Sequence, residues 1–196
     1  MRVSGGFWLA LAAAAVIGPV KLLLALLLAA ALHEGGHLAL LRHYRVPVDS
    51  LALTAAGATL RADGTARLSY GQELLTVLAG PLVNLICAPL LALAGARLSW
   101  GTGFVLAGAH AVLGVYNLLP IRPLDGGRIV YLVFAFFFGP AVGDAAATVA
   151  GITASAALVV LGAHLTFALG GGYLFLLAAL GLFLPQVRLA KRGGGV

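Results

Sequence analysis

The chain has 196 residues, of which 62% are apolar and 9% are charged, and its formal net charge is +6. Soluble domains carry about 25% charged and about 45–50% apolar residues, so the composition excludes a soluble enzyme, a disordered chain and a nucleic-acid-binding domain. A membrane-spanning helix needs about 20 apolar residues. The sequence therefore predicts an all-α polytopic membrane protein that forms a single domain over residues 1–196.

Six apolar stretches mark the candidate spans, with a shorter one at Ile129–Phe138. In chain order they cover about Phe7–Val20, Leu22–Leu41, Leu74–Ala96, Phe104–Leu119, Ala145–Ala163 and Leu165–Val187. Between the second and third spans, Val46–Leu60 has some alternation of apolar and polar residues and contains β-branched residues, and a turn signal follows at Ala62–Thr65. This pattern predicts a short β-hairpin or re-entrant β-loop beside the membrane.

The basic residues predict the orientation of the spans. Only Lys21 and Arg97 fall on the side opposite the N-terminus, and the other ten lysines and arginines fall on the same side as it. Positively charged residues accumulate on the cytoplasmic side of membrane proteins. We therefore expect a multi-pass protein of the cell membrane with both termini in the cytoplasm.

The second span contains the sequence His33-Glu34-Gly35-Gly36-His37. This H-E-x-x-H pattern places two imidazoles one helical turn apart on the same face, where they can bind Zn²⁺, with a glutamate beside them as general base. A charged glutamate in the bilayer costs at least about 2.5 kcal/mol, which a metal site in a wet cavity would offset. The alternative is that these side chains hydrogen-bond between helices.

Catalytic zinc usually has three protein ligands, and the sequence offers few candidates for the third. Asp49 and Asp63 lie in the cytoplasmic loop, Glu73 opens the third span, and Asp144 resembles an N-cap of the fifth. Asp125 instead follows a segment broken by prolines and precedes two glycines. Broken backbone at membrane depth is tolerated where it is buried or lines a cavity.

The predicted topology places Asp125 at a depth similar to that of the H-E-x-x-H motif, near the cytoplasmic leaflet. The residues therefore predict one Zn²⁺ per chain, bound by His33, His37 and Asp125, with Glu34 as the base in peptide-bond hydrolysis. An unpaired strand edge within Val46–Leu60 would hold the substrate segment by β-augmentation.

Two further motifs accompany these residues. They are Gly80-Pro81-Leu82-Val83-Asn84 in the third span and the run Asn117-Leu118-Leu119-Pro120-Ile121-Arg122-Pro123-Leu124-Asp125-Gly126-Gly127. With HEGGH, in this order, they resemble the site-2 protease family of intramembrane zinc metalloproteases, and most closely its compact sporulation-type branch.

The resemblance implies regulated intramembrane proteolysis of a membrane-associated protein substrate, such as a pro-sigma factor. It implies His33, His37 and Asp125 as zinc ligands and Glu34 as catalytic residue. It also implies that Asn117 and Asn84 contact substrate or shape the site. The chain is expected to have no room for the PDZ or CBS domains of many relatives, so that regulation would depend on membrane partners.

Other polar residues and other functions remain as alternatives. We expect His43 to lie at the interface, His110 to hydrogen-bond between helices and His164 to lie in the outer turn between the last two spans. A membrane transporter could use the broken fourth span as its site, and a non-catalytic metal-binding scaffold could retain the fold. The sequence does not specify the natural substrate, the oligomeric state or a role for Gly170–Gly172.

Overall fold

The structure is a computed structural model that describes residues 2–3, 19–47, 50–54, 57–61, 68–168 and 170–193. Its elements are β1 (Arg2–Val3), α1 (Val20–His43), β2 (Ser50–Thr54), β3 (Gly57–Arg61), α2 (Tyr70–Arg97), α3 (Gly101–Asn117), α4 (Asp125–Phe138), α5 (Pro140–Phe167) and α6 (Tyr173–Gly193). These elements fall into two compact units, the first ending at Tyr116 and the second beginning at Asn117.

Four helices within the described residues are long and apolar enough to cross a membrane. They are Val20–His43, Tyr70–Arg97, Pro140–Phe167 and Tyr173–Ala190. Large apolar side chains point outward from the helices; the rings of Phe136, Phe137 and Phe138, for example, are 63–69% exposed. Because such surfaces are stable against lipid and not against water, the protein is a multi-pass membrane protein.

Two predicted spans do not appear among these four helices. Most of the first predicted span lies outside the described residues. The described range that includes its end starts at Pro19, and α1 begins at Val20. The fourth predicted span corresponds to α3, which has 17 residues and is therefore shorter than the length of about 20 residues that a spanning helix typically needs.

In the first unit, α1 and α2 approach each other through small residues. A Cβ atom added at Gly36 would lie 2.7 Å from the backbone oxygen of Ala79, so the two backbones are nearly in contact there. α3 packs on α1 through a buried cluster of Ala25, Ala29 and Ala109. Small side chains are typical of helix contacts in membranes because they allow close approach without help from hydrophobic burial.

The segment between α1 and α2 contains paired strands. β2 pairs antiparallel with β3, from Ser50 opposite Arg61 to Thr54 opposite Gly57. β1 pairs parallel with β2 on its other side, so β2 is the central strand of this three-stranded sheet. A capping box at Ser69 and Gln72 then starts α2.

In the second unit, α4 and α5 form a hairpin joined by Gly139 alone. Gly139 has φ of +90°, which favours glycine, and Pro140 is the first residue of α5. Asp144 is therefore not the N-cap that the sequence suggested. Proline at the first helical position already has the φ that a helix requires, so α5 begins five residues earlier than predicted. Asp144 instead binds Arg122 at 2.6 Å.

The boundary between the last two helices also differs from the prediction. α5 continues to Phe167, so His164 lies in the last turn of α5 and not in a connecting turn. The break comes at the glycine run, where Gly170 and Gly172 have φ of +70° and +84°. Only glycine adopts such angles readily, which gives the Gly170–Gly172 run a role as the turn between α5 and α6.

Gly143 tests the packing of the α4–α5 hairpin. A Cβ atom at this position would lie 2.8 Å from both the Cβ atom of Ala135 and the backbone oxygen of Tyr131. We expect Gly143→Ala to lower the unfolding temperature of the detergent-purified protein by several degrees, because overpacking typically costs about 1–3 kcal/mol.

The matched control is Gly181→Ala on α6, where an added Cβ atom has no neighbour within 4 Å. Alanine favours helix over glycine by about 1 kcal/mol, so this variant should unfold at the same temperature as the wild type or at a higher one. Equal unfolding temperatures for Gly143→Ala and the wild type would contradict the packing described here.

Candidate metal centre

His33 and His37 face each other on consecutive turns of α1. Their Nε2 atoms are 3.1 Å apart, and their rings meet edge to face with centroids 4.8 Å apart. The i, i+4 spacing of the helix produces this proximity, as the sequence predicted. Two ring nitrogens aimed at one point are the arrangement from which a shared metal ion is bound.

The other ring nitrogen of His37 is held by α2. Its Nδ1 atom lies 2.8 Å from the backbone oxygen of Thr76, and a carbonyl oxygen can only accept a hydrogen bond. The proton of a neutral His37 ring is therefore on Nδ1, and its Nε2 atom carries the lone pair that a metal requires. The sequence did not single out Thr76, because its contribution comes from the backbone.

Gly80 on α2 faces the space in front of both histidines. A Cβ atom there would collide with Nε2 of His37 and would lie 2.8 Å from Nε2 of His33. Glycine thus keeps open the point at which the two ring nitrogens converge. This gives the glycine of the Gly80-Pro81-x-x-Asn84 motif a steric role at the candidate metal site.

Asn84 connects the site to α3. Its side-chain amide lies between two rings, with Nδ2 at 3.2 Å from Nδ1 of His33 and Oδ1 at 2.9 Å from Nδ1 of His110. Asn84 and His110 are both 0% exposed, and His33 is 4% exposed. In this buried position Asn84 orients a histidine ring, and His110 forms a hydrogen bond between helices as the sequence predicted.

Two other predicted site residues lie on α1 and at the end of α3. Glu34 follows His33 and is half-buried, and Asn117 is the last residue of α3 and is also half-buried. Their predicted roles, as catalytic base and substrate contact, are taken up under the proposed function.

Asp125 is the first residue of α4, and its Oδ2 atom is buried. Negative charge is favourable at this end of a helix. The preceding segment folds back over the helix start, so that a Cβ atom at Gly126 would collide with the backbone oxygen of Leu118. At Gly127 it would lie 2.8 Å from the carbonyl carbon of Ile121. The two glycines after Asp125 are therefore required by packing.

Gln186 on α6 holds this segment from the other side. It is almost fully buried, and its Nε2 atom donates a hydrogen bond of 2.5 Å to the backbone oxygen of Arg122. Gly151 of α5 makes room for it, since a Cβ atom there would lie 2.6 Å from Oε1 of Gln186. Sequence reasoning missed Gln186, although an uncharged polar residue within the last apolar stretch was the available signal.

Known proteins share both sequence and fold with this chain. Stage IV sporulation protein FB of Bacillus subtilis is 30% identical over 131 residues, which are 65% of this chain and 45% of that protein. A zinc metalloprotease of Methanocaldococcus jannaschii is 28% identical over 123 residues, which are 60% of this chain and 35% of that protein. The matched regions are thus less than half the length of each relative. No protein-family model matches the chain.

A solved structure gives the match in fold. The site-2 protease from Methanocaldococcus jannaschii superposes with a TM-score of 0.69 over 95% of this chain and 88% of that chain, at 22% identity. At this identity the likeness concerns the fold. The chain is thus similar in sequence to a sporulation protein and a zinc metalloprotease, and similar in fold to a site-2 protease.

Proposed function

We propose that this protein is an intramembrane zinc metalloendopeptidase that hydrolyses a peptide bond within or near a membrane-associated segment of a protein substrate. The observation that carries the proposal is the convergence of the two Nε2 atoms of His33 and His37 at 3.1 Å, beside Glu34 and in front of Gly80. The name of the Methanocaldococcus jannaschii relative, a zinc metalloprotease, agrees with it.

The residues fit a zinc ion. His33 and His37 present two imidazole nitrogens in the first unit, and we propose the buried carboxylate of Asp125 as the third ligand. Two imidazoles and one carboxylate are the ligand set of a catalytic zinc site, which keeps its fourth position for water or substrate. The space that Gly80 leaves in front of the ring nitrogens is where an ion would lie, so one Zn²⁺ per chain is proposed.

Hydrolysis requires a base as well as a metal. A bound Zn²⁺ would supply Lewis acidity and lower the pKa of a water molecule towards neutrality. Glu34 is assigned as the group that accepts the proton of the attacking water and delivers it to the leaving amine nitrogen. Asn117 is proposed to contact the substrate, whereas Asn84 is proposed to act on His33, since it is completely buried.

The proposal also covers the membrane topology, the strand that binds the substrate, and the class of substrate. Six spans with both termini in the cytoplasm remain the topology that the distribution of basic residues favours. The outer edge of β3 is proposed as the strand to which an extended substrate segment pairs by β-augmentation. One relative is named as a stage IV sporulation protein. We propose a pro-sigma factor as one substrate and membrane partners as regulators of cleavage.

Glu34→Gln is the primary test. The amide has nearly the same shape as the carboxylate but cannot accept the proton, so cleavage of a membrane-spanning reporter should fall roughly 10²–10⁴-fold, the usual contribution of general base catalysis. Zinc content, measured by mass spectrometry on detergent-purified protein, should stay at the wild-type value. A variant that still cleaves would contradict the assigned base, and a wild type that binds zinc without any hydrolysis would favour the scaffold or transporter.

Asp125→Ala tests the third ligand. Loss of a group that supports a ligand typically lowers metal affinity about 10–100-fold, and loss of the ligand itself should exceed this in a chelator competition assay. The control is Asp144→Ala, which removes another carboxylate of the second unit whose partner is Arg122. Asp144→Ala should retain zinc, and equal zinc affinities for Asp125→Ala and the wild type would exclude Asp125 as a ligand.

Gly80→Ala tests the space in front of the histidines. The added methyl group would press on both Nε2 atoms, so we expect a large loss of zinc affinity together with a changed d–d absorption spectrum of the cobalt-substituted protein. The control, Gly71→Ala, adds the same group to the first turn of α2 where nothing lies within 4 Å. Unchanged cobalt spectra for both variants would show that the ion is bound elsewhere.

A further inference from the structure

A buried row of three side chains runs from α1 through α2 to α3. It consists of His33, Asn84 and His110, joined by contacts of 3.2 Å and 2.9 Å. His33 is a proposed ligand and Asn84 is proposed to act on it, whereas His110 has no place in the function proposed so far. Asn84 and His110 are completely buried, and polar groups inside a membrane protein are costly unless they serve a purpose.

His110 is the residue that packing alone does not explain. Its Nδ1 atom faces Asn84, while its Nε2 atom is buried and has no hydrogen-bond partner among the described residues. A buried polar atom without a partner is unfavourable, and an apolar side chain would fill the same space without that cost. The role of His110 is therefore expected to lie in its hydrogen bond with Asn84.

Hydrogen bonding can run along this row in two directions. If the Asn84 amide donates to Nδ1 of His33, the proton of that ring is on Nε2, the atom that faces His37. Rotation of the amide about its Cβ–Cγ bond exchanges its oxygen and nitrogen without a change of shape. The oxygen of Asn84 then accepts a hydrogen bond from Nδ1–H of His33, and its N–H group donates one to Nδ1 of His110.

Only the second direction is compatible with a metal ion on Nε2 of His33, because a ligating nitrogen must carry a lone pair. A histidine at position 110 suits this direction, since a neutral ring can present a bare Nδ1 atom to the amide and keep its proton on Nε2. A lysine or tryptophan could only donate there.

We propose that His110 is a positioning residue of the zinc site: it fixes the amide orientation of Asn84, which in turn holds His33 with its proton on Nδ1 and its Nε2 lone pair directed at the metal. This inference rests on the proposed zinc site. Asn84 would then be the hydrogen-bond partner of the non-ligating nitrogen of His33, as the Thr76 carbonyl is for His37. Such partners raise metal affinity by orienting the ring and fixing its tautomer.

The test compares zinc affinity between variants of the detergent-purified protein. Because His110 acts at one remove from the ligand, His110→Leu should weaken zinc binding about tenfold, the lower end of the range for outer partners. Its unfolding temperature should stay close to that of the wild type, because the substitution removes the unpartnered Nε2 atom of His110 but also removes one hydrogen-bond partner of Asn84. His110→Asn places an amide oxygen near the position of Nδ1 and should restore most of the affinity.

Two controls separate positioning from packing. Leu106→Ala shortens a partly buried side chain on the same helix that packs against the cluster of Ala25, Ala29 and Ala109, and it should leave zinc affinity unchanged. In an Asn84→Leu background, His110→Leu should have no further effect on zinc affinity, because the two residues act through one hydrogen-bonded row. Additive losses would indicate general destabilisation and overturn the proposal.

Nitrogen NMR of histidine-labelled, zinc-loaded protein gives a readout independent of activity. The signals that vanish in His110→Asn should report a neutral ring with its proton on Nε2; a proton on Nδ1 would overturn the proposed direction. If the wild type itself binds no zinc, the proposed function fails. If the wild type binds zinc and His110→Leu binds it equally well, only the role of His110 fails.

Discussion

Helices α1 and α2 lie so close together that no β-carbon fits between them at Gly36 or at Gly80. This contact sets the geometry of the histidine half of the site. It brings the Thr76 carbonyl to one ring and the Asn84 amide to the other, and it leaves space in front of the two ring nitrogens. A larger residue at either glycine would separate the helices or fill that space.

The low polarity of the surroundings explains why the polar residues of this unit form a connected set. In a bilayer a buried donor or acceptor cannot hydrogen-bond to water. The polar side chains of this unit therefore contact one another and a backbone carbonyl; they are His33, His37, Asn84 and His110. The same scarcity of partners fixes ring orientation and tautomer. A row of hydrogen bonds that crosses three helices thus becomes a means of directing lone pairs.

The second unit positions Asp125 by a similar device on irregular backbone. Gly126 and Gly127 let the preceding segment fold against the start of α4, and Gly151 leaves room for the Gln186 side chain that binds this segment. Broken backbone in an apolar protein needs such a partner for its carbonyl groups. Glycines at close contacts and the buried amide of Gln186 therefore hold the backbone around Asp125 in place, as contacts with α2 hold the two histidine rings.

Composition alone determined that this is a helical membrane protein, and the i, i+4 spacing of His33 and His37 determined that their rings share a face. Both are local properties of the chain, set by hydropathy and helical geometry. Sequence analysis was less successful at helix ends, where it predicted a cap at Asp144 and a turn at His164. Hydropathy guided those predictions, whereas the helix ends are set by the positive φ angles of Gly139, Gly170 and Gly172. The tertiary structure alone decided that Asn84 faces two histidines, that Gly80 faces their Nε2 atoms and that Gln186 holds the Arg122 carbonyl. Those contacts join residues 26 to 64 positions apart, and such pairings depend on how helices pack, which spacing along one chain does not encode.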